Sequence, residues 1–370
     1  MATMPEPIPA SASAAPAPIV IAHRGACGYR PEHTLESYRL AIRMGADFIE
    51  PDLVATRDGV LVVRHENEIS GTTDVAQRPE FAHLRTTKTI DGRAMTGWFT
   101  EDFTLEQIKT LRARERIPGL RPANTRFDGM HAIPTFAEVL RLAKAHGRDG
   151  RRIGVYPETK HPTWFAREGR RIDGTPIGLS LGALLLRTLQ EEGFADPALV
   201  YIQSFEVENL LELARVLMPA AGLCVRLVQL MGEMDSEAPY DFQWHLARGD
   251  DLQAVYGDLP ATVPGGLGPH THYGHLANAA ALAWMRTHYA SAIGPWKGSV
   301  LGDASLPARA RAAGLAVHPY TLRAEEHADR AAAVAEAMQL FRAGVQGAFF
   351  DQADIGVEAR ERFLREAAGG

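Results

Sequence analysis

The stretch PIVIAHRGACGYRPEHTLESYRLAIRMG (18–45) holds one complete strand-and-helix unit and therefore indicates an α/β fold. Its first five residues, 18–22, form an apolar run rich in β-branched residues, which is typical of a buried strand. Apolar residues at helical spacing follow, at Leu35, Tyr38 and Ile42. Thr34 is placed to cap the first turn of this helix, and Gly45 is placed to end it. The pattern predicts a strand that leads into an amphipathic helix.

The same alternation recurs along the chain. Strands are predicted at 48–54, 60–63, 153–156, 199–203, 222–227, 291–294, 315–319 and 347–350. Helices are predicted at 135–146, 181–192, 207–218, 276–289, 304–313, 325–341 and 357–367. Strands joined by crossover helices form a parallel sheet, and about eight such units favour an α/β fold of the closed (β/α)8 TIM-barrel type over an open doubly wound sheet. No GxGxxG or GxxxxGK[ST] loop joins a predicted strand to a helix, which weakens a nucleotide-binding alternative.

Three regions depart from this rhythm. Residues 66–133 are polar and show helical periodicity only near 105–111, so we predict an insertion that folds over one end of the main domain. Residues 229–274 are rich in Gly, Pro and His and are predicted to be irregular. Residues 1–18 hold five prolines and no Lys or Arg, which predicts a disordered leader rather than a signal peptide. We therefore expect a single catalytic domain over 19–368.

The composition limits the classes of function. Hydrophobic residues make up 46% of the chain and charged residues 23%, which is typical of a globular enzyme. A net charge of −6, with no long Lys/Arg tract, argues against nucleic-acid binding through a broad basic surface. No apolar run approaches the ~20 residues that a transmembrane helix needs. Cys27 and Cys224 fit no zinc or redox spacing, and we expect two unpaired buried thiols.

Polar residues stand where the predicted strands end, and in a TIM barrel the active site lies at those ends. They are His23 and Arg24, Glu50 and Asp52, His65, and Glu158 and Lys160. Side chains alternate along a strand, so Glu50 and Asp52 point the same way, while Pro51 cannot donate to the ladder and should end regular pairing. Carboxylates that converge in this way repel one another unless a cation lies between them. All-oxygen ligation favours Ca²⁺ or Mg²⁺ over zinc.

The remaining strand-end residues indicate phosphate chemistry. A metal ion together with Arg24 and Lys160 would suit the charge of a phosphodiester. His23 and His65 could exchange protons, one as a base toward the attacking oxygen and the other as an acid toward the leaving alkoxide. A lone histidine near a strand end is more often structural, and Glu-x-Asp is more often a solvated edge. Their coincidence at strand ends predicts a metal-assisted hydrolase or lyase.

Three blocks of the chain resemble the signature of the glycerophosphodiester phosphodiesterase family. They are HRGACGYRPEHTLESY (23–38), ADFIEPDLVATRDGVLVVRHE (46–66) and VYPETKHP (155–162). Fainter matches are YIQSFE (201–206), VHPYTLR (317–323) and GAFFDQAD (347–354), so the resemblance covers roughly 19–358. The long segment after His65 resembles the insertion of the periplasmic, GlpQ-like branch of the family.

The resemblance implies a TIM barrel that hydrolyses a small-molecule substrate, an sn-glycero-3-phosphodiester such as glycerophosphocholine or glycerophosphoethanolamine, to an alcohol and sn-glycerol 3-phosphate. It implies that a divalent metal, Ca²⁺ in the insertion-bearing branch and Mg²⁺ in others, is held by Glu50, Asp52 and Glu158. His23 and His65 would be the acid–base pair, and Arg24 and Lys160 would contact the phosphate. In the related mechanism the substrate's glycerol 2-hydroxyl attacks phosphorus, and water then opens the cyclic phosphate. The branch is periplasmic or secreted, whereas an N-terminus complete as given would indicate the cytoplasm.

Two alternatives remain open at this point. A phospholipase-D-like or sphingomyelinase-D-like lyase uses a similar metal and histidine pair but stops at a cyclic or transphosphatidylated product. A non-catalytic binding protein on the same barrel would be expected to lose a histidine or a metal-binding carboxylate, and here all five are present. The sequence identifies neither the head group nor the oligomeric state.

Overall fold

The computed structural model describes residues 17–147 and 151–369, so the predicted leader lies outside the described residues except for 17 and 18. The strands are β1 Ile19–His23, β2 Phe48–Glu50, β3 Asp52–Ala55, β4 Leu61–Val63, β5 Thr86–Ile90, β6 Arg93–Gly97, β7 Gly154–Val155, β8 Glu158–Thr159, β9 Tyr201–Ser204, β10 Arg226–Met231, β11 Ala290–Pro295, β12 Ala316–Val317 and β13 Gly347–Phe350.

The α-helices lie mainly between the strands. They are α1 Leu35–Met44, α2 Leu105–Thr110, α3 Phe136–Ala145, α4 Leu181–Glu191, α5 Val207–Glu212, α6 Met218–Ala221, α7 Tyr240–Arg248, α8 Leu252–Tyr256, α9 Leu259–Thr262, α10 Tyr273–Leu276, α11 Ala279–His288, α12 Lys297–Gly302, α13 Leu306–Ala312, α14 Arg330–Arg342 and α15 Ala353–Gly369. Among the described helices, none combines the length and the apolar character that crossing a bilayer requires.

The architecture is the α/β TIM barrel that the sequence predicts. Parallel strands are hydrogen-bonded in two groups, β13-β1-β2-β7 and β12-β11-β10-β9-β8-β3. Single parallel bridges connect the groups on both sides, between Val155 and Val200 and between Leu322 and Phe350. Pairs β2–β3 and β7–β8 each occupy one position of the barrel, so the parallel strands fill eight positions.

The division into two groups follows from two prolines. Pro51 separates β2 from β3, and Pro157 lies between β7 and β8. A proline has no N–H to donate, so the ladder is interrupted at each of these residues. On the N-terminal side of the prolines, β2 pairs with β7. On their C-terminal side, β3 pairs with β8 through Asp52 and Glu158. The predicted end of regular pairing at Pro51 is only partly right, because the ladder is interrupted there but resumes at Asp52 with β8.

Helix α1 also forms as predicted. The Thr34 side chain accepts a hydrogen bond from the Ser37 N–H, which satisfies one free donor of the first turn. Gly45 ends the helix at φ 104°, in the left-handed region that glycine adopts without steric cost. The strand before α1 and the turn between them therefore present His23 and Arg24 at the carboxyl end of the barrel.

The apolar run predicted at 60–63 is not a strand of the parallel barrel. It forms β4, which pairs antiparallel with β3 as a hairpin. Gly59 in the connecting turn has φ 74°, a conformation that suits glycine. The hairpin turns the chain back, so that His65 returns toward the same end of the barrel as Asp52.

An apolar layer fills the barrel interior below the polar strand ends. It comprises Ile21, Phe48, Tyr156, Tyr201, Val228, Ala292 and Phe349. The Tyr156 and Tyr201 rings stack with their centroids 4.9 Å apart, and the Phe349 ring meets Tyr156 edge-on at 5.0 Å. Side chains along a strand alternate between its two faces, so residues two positions after those of the apolar layer also face the barrel axis. Those residues include His23, Glu50, Glu158, Gln203 and Asp351.

Segment 66–133 contains a β5–β6 hairpin, α2 and four 3-10 turns, at Val75–Gln77, Pro79–Leu84, Thr100–Asp102 and Pro122–Phe127. The predicted helical pattern near 105–111 is confirmed by α2. The hairpin was not predicted because its strands are polar, although Asp91-Gly92 at its turn is a common hairpin sequence. Buried apolar side chains, such as Phe81 and Phe103, pack against each other within the segment.

Some predicted boundaries are wrong. The strand predicted at 222–227 lies at Arg226–Met231, because Gly222 adopts φ 63° and ends the preceding helix. The region 229–274 is not irregular but contains four short helices, α7 to α10. Cys27 and Cys224 are both unpaired as predicted, and Cys27 is buried, whereas Cys224 is only partly buried.

Candidate active site

Three buried carboxylates converge at the carboxyl ends of the strands. Glu50 ends β2, Asp52 begins β3 and Glu158 begins β8, and one oxygen of each lies within 4.8 Å of the others. Burial, together with the neighbouring Asp52 and Glu158 charges, raises the pKa of Glu50 well above its usual value. Burial opposes the charge of Asp52 too, but Lys160 and His65 hold the pKa of Asp52 well below its usual value.

These carboxylates fit a divalent cation. The Asp52 Oδ1 atom is buried and has no hydrogen-bond partner among the described residues. An unpartnered buried carboxylate oxygen is costly, and a metal ion would satisfy it. The donor set is entirely oxygen, which suits a hard cation. The Glu158 side chain accepts a hydrogen bond from Lys160 Nζ at 2.7 Å, and burial raises the pKa of Glu158 to about 8 against that cation's influence.

Arg24 is fixed beside the carboxylates by its backbone and by two acids. Its φ of 58° is in the left-handed region, and its N–H donates to Glu50 Oε2 at 2.8 Å. The guanidinium donates from Nη1 to Glu32 Oε2 at 3.1 Å and places Nε 3.4 Å from Asp52 Oδ2. Within the described parts of the chain, the buried Arg24 Nε makes no hydrogen bond, so its interaction with Asp52 is an ion pair alone.

His23 is held at Nδ1, 2.6 Å from Asp351 Oδ1. Burial opposes the charge of Asp351, but His23, Arg121 and Arg323 keep the pKa of this carboxyl far below its usual value. An ionised Asp351 accepts a hydrogen bond from the Nδ1–H of His23, so Nε2 carries the free lone pair. Burial and the neighbouring Arg24 lower the pKa of His23, although Asp351 counteracts them.

His65 is held in the same way by a different carboxylate. Its Nδ1 lies 2.6 Å from Glu66 Oε1, and its Nε2 lies 3.3 Å from Lys160 Nζ. Burial and the cations Arg24 and Lys160 lower the pKa of His65 well below its usual value. A neutral His65 that donates from Nδ1 accepts from Lys160 at Nε2. All seven residues that the sequence predicted as site residues therefore lie together at this end of the barrel.

The sequence did not predict the groups that hold these residues. His33, with φ 56°, lies 2.8 Å through Nε2 from Asp52 Oδ2 and 2.7 Å through Nδ1 from the Tyr38 hydroxyl. Burial lowers the pKa of His33 to about 4, despite the neighbouring Asp52 charge. Gln203 at the end of β9 lies 3.4 Å through Nε2 from Glu50 Oε1. His33 and Asp351 both lie within the sequence blocks that resemble the family, and no local spacing relates either to its partner.

A second group, His23, Cys27 and Asp351, also places potential ligand atoms within 4.8 Å of one another. Asp351 is already paired with two guanidinium groups, from Arg121 and Arg323. Burial raises the pKa of Cys27 well above its usual value, so the thiol stays protonated and is a poor ligand. Hydrogen bonds and ion pairs account for this group without a metal.

The chain matches the sequence profile described as the "Glycerophosphoryl diester phosphodiesterase family" over residues 23–241. A glycerophosphodiester phosphodiesterase of Haemophilus influenzae is 30% identical over 365 residues, which cover 92% of this chain and 89% of the relative. A glycerophosphodiester phosphodiesterase of Arabidopsis thaliana is 31% identical over 324 residues, covering 83% of this chain and 75% of the relative.

Solved structures agree with the fold. An Oleispira antarctica phosphodiesterase, determined in complex with the product sn-glycerol-3-phosphate, has a TM-score of 0.58 at 19% identity, covering 93% of this chain and 97% of that one. A glycerophosphodiester phosphodiesterase from Agrobacterium tumefaciens has a TM-score of 0.55 at 18% identity, with coverages of 92% and 99%. From the extended match in sequence and the shared barrel, the chain belongs to the glycerophosphoryl diester phosphodiesterase family and is a phosphodiester hydrolase.

Proposed function

We propose that the protein hydrolyses sn-glycero-3-phosphodiesters, such as glycerophosphocholine and glycerophosphoethanolamine, to an alcohol and sn-glycerol 3-phosphate. The observation that carries this proposal is the position of two carboxylate-held histidines, His23 and His65, beside a group of three buried carboxylates. The Oleispira antarctica phosphodiesterase of the same fold was determined with sn-glycerol-3-phosphate as its product, which is consistent with the proposed product here.

Glu50, Asp52 and Glu158 are the proposed ligands of a divalent cation, Ca²⁺ or Mg²⁺. When bound, such a cation supplies positive charge that offsets the negative charge of the phosphate oxygens. Hydrogen bonds within the protein orient two of the three carboxylates: His33 bonds to Asp52, and the Arg24 N–H donates to Glu50. Arg24 and Lys160 are the proposed phosphate contacts. Lys160 is buried and the Arg24 side chain is 11% exposed, so their hydrogen bonds to an anion would be little weakened by water.

The two histidines divide the proton transfers. In the first step one Nε2 accepts the proton of the glycerol 2-hydroxyl while that oxygen bonds to phosphorus, and the other histidine donates a proton to the departing alkoxide. In the second step the roles reverse, as water opens the cyclic phosphate and the 2-hydroxyl regains its proton. A bound phosphate anion raises the pKa of a nearby histidine, which allows one of them to carry the proton that it donates.

Phosphorus NMR of glycerophosphocholine incubated with the protein tests this proposal. With Ca²⁺ or Mg²⁺ we expect the diester signal to be replaced by that of sn-glycerol 3-phosphate, and with EDTA we expect no conversion. Accumulation of a cyclic phosphate as the final product would instead indicate the lyase. Full conversion in EDTA would contradict the three-carboxylate metal site.

The 2-deoxy analogue of glycerophosphocholine tests the attacking group. If the glycerol 2-hydroxyl is the nucleophile, its position within the substrate contributes several kcal/mol to lowering the barrier, on the order of 10³-fold in rate. The analogue should therefore react very slowly and should inhibit competitively, because its phosphate can still bind. Rapid hydrolysis would replace the cyclic route with a directly activated water and would leave the family assignment intact.

A further inference from the structure

Besides Glu66, its first residue, which holds His65 directly, segment 66–133 contributes three charged side chains that reach the candidate site from outside the barrel: Asp91, Arg116 and Arg121. Each begins a short series of hydrogen bonds and ion pairs that ends at a residue with a proposed role in the reaction. The three series begin at different parts of the segment, the hairpin turn, a loop and the residue before a 3-10 turn, so they are independent contacts.

The first series begins at Arg121 and ends at His23. Arg121 Nη2 donates to Asp351 Oδ2, and the other oxygen of Asp351 lies 2.6 Å from His23 Nδ1. Arg121 also donates to the Cys27 carbonyl at 3.2 Å and to Glu325 at 2.6 Å. The guanidinium is 7% exposed, so its orientation is fixed on several sides. Asp351 is consequently held in one orientation toward the imidazole.

The second series begins at Asp91 and ends at His65. Asp91 Oδ2 lies 2.5 Å from His161 Nδ1, His161 Nε2 lies 3.3 Å from Glu66 Oε2, and Glu66 Oε1 lies 2.6 Å from His65 Nδ1. Burial disfavours a charged His161, but Asp91 and Glu66 raise the pKa of His161 to about 10. His161 is therefore a cation between two carboxylates near neutral pH.

The third series begins at Arg116 and ends at Arg24. Arg116 donates twice to Glu32, from Nε at 2.9 Å and from Nη2 at 2.7 Å. This bidentate arrangement fixes the guanidinium and the carboxylate in one relative orientation. Glu32 accepts a further hydrogen bond from Arg24 Nη1 at 3.1 Å. The carboxylate is thus held by the segment on one side and orients the proposed phosphate contact on the other.

We propose that segment 66–133 is a positioning element for the reaction: Arg121 and Asp91 orient the two histidines, and Arg116 orients Arg24. This rests on the proposed function of the site. The residues act through Asp351, through His161 and Glu66, and through Glu32, and none of them touches the substrate. Other charged pairs of the segment do not lead to these site residues: Lys88 pairs with Glu101 inside the segment at 2.6 Å, and Lys109 pairs with Glu138 of α3 at 2.6 Å.

The test compares Arg121→Gln, Asp91→Asn and Arg116→Gln with the control Arg114→Gln in the full-length protein. Arg114 belongs to the same segment and forms a longer ion pair with Asp128, at 3.6 Å, away from the three series. Asparagine tolerates the φ of 47° at position 91. The measurements are kcat and KM for glycerophosphocholine at saturating metal, together with circular dichroism.

The expected result is a split between kcat and KM. Misplacing an acid–base group affects the chemical step, so Arg121→Gln and Asp91→Asn should lower kcat by about 10-fold or more with little change in KM. Arg116→Gln should mainly raise KM, by about 3- to 10-fold, because a disordered Arg24 binds the phosphate less well. The control should match the wild type. Arg121→Lys, which keeps a charge toward Asp351, should recover part of the loss and also serves if the glutamine variant does not fold.

Nitrogen NMR of the imidazoles provides a readout independent of turnover. With His23→Ala and His65→Ala spectra for assignment, Arg121→Gln should shift the His23 signals and Asp91→Asn the His65 signals, each selectively. Unchanged spectra together with kcat within about twofold of the wild type would overturn the proposal. Equal losses in all four variants, control included, would also overturn it, in favour of a purely structural segment. If the wild-type protein fails to hydrolyse the diester while the shifts are selective, the proposed function fails and the positioning role stands.

Discussion

The strand ends and segment 66–133 both supply charged groups to one site, but they are held in different ways. Glu50, Asp52 and Glu158 are placed by the parallel ladder, in which Asp52 and Glu158 are register partners. The side chains of the segment are placed by ion pairs to distant parts of the chain, such as Arg121 to Asp351. Backbone pairing therefore determines where the reactive groups lie, whereas long-range ion pairs determine how they are oriented. The two regions should therefore respond differently to substitution.

The largest expected effect is the loss of a histidine at a strand end. His23→Ala or His65→Ala should each lower kcat by ~10²–10⁴-fold, because proton transfer in both steps uses both residues. The exposed His83 of the segment provides the control, since His83→Ala should have normal kinetics. Steady-state kinetics with circular dichroism check this, and near-normal turnover in either strand-end variant would show that the acid–base assignment is wrong.

A smaller loss is expected one step further out, at the carboxylates that hold the histidines. Asp351→Asn and Glu66→Gln keep the shape of the side chain but remove the charge that fixes the imidazole tautomer. We expect kcat to fall by up to about 10²-fold with KM nearly constant. Losses as large as those of the histidine variants would mean that orientation and proton transfer are inseparable here, and the distinction between the two regions would have to be given up.

Replacing one of the proposed metal-binding carboxylates should raise the stability of the protein without metal and lower it, relative to the wild type, with metal. Glu50→Gln replaces a carboxyl whose ionisation is opposed by burial and by the neighbouring Asp52 and Glu158 charges, so in EDTA we expect the variant to be more stable than the wild type by about 1–2 kcal/mol. A metal at 100 times its Kd adds about 2.7 kcal/mol to the wild type and much less to the variant, which should reverse the order. Thermal unfolding of the variant and the wild type, in EDTA and in Ca²⁺ or Mg²⁺, measures both stability differences. The prediction is wrong if the variant is less stable in EDTA.

The smallest expected effect is a pH-dependent one at the hairpin turn. Because the folded-state pKa of His161 is raised from 6.5 to about 10, its protonation stabilises the folded state fully below about pH 6.5, and this contribution is lost as the pH rises to about 10. Asp91→Asn should therefore lower the free energy of unfolding by about 1 kcal/mol near pH 6 and by little near pH 10. Urea unfolding at several pH values checks the trend, and a difference that grows with pH would contradict it.

The sequence predicted the residues placed by local strand patterns but not the long-range ion pairs that orient them. Period-two alternation and the proline rule anticipated Glu50, Pro51 and Asp52, because both are local properties of a strand. The pairing of His23 with Asp351 spans 328 residues along the chain and exists only after the barrel forms, so no local pattern contains it. The β5–β6 hairpin was missed for another reason, since its polar strands carry no hydrophobic alternation. The strand predicted at 222–227 was displaced because the preceding helix continues to Ala221 and ends only at Gly222.

The stacked Tyr156 and Tyr201 rings, with Phe349 against them, have a consequence for the order of events. They close the barrel beneath the site, so molecules can enter and leave only through the mouth above the strand ends. In the proposed two-step route the released alcohol and the incoming water must use that same opening. An alcohol that still fills this opening would keep water from the cyclic phosphate, so a bulky alcohol that leaves slowly would extend the lifetime of the cyclic species and allow it to revert to substrate.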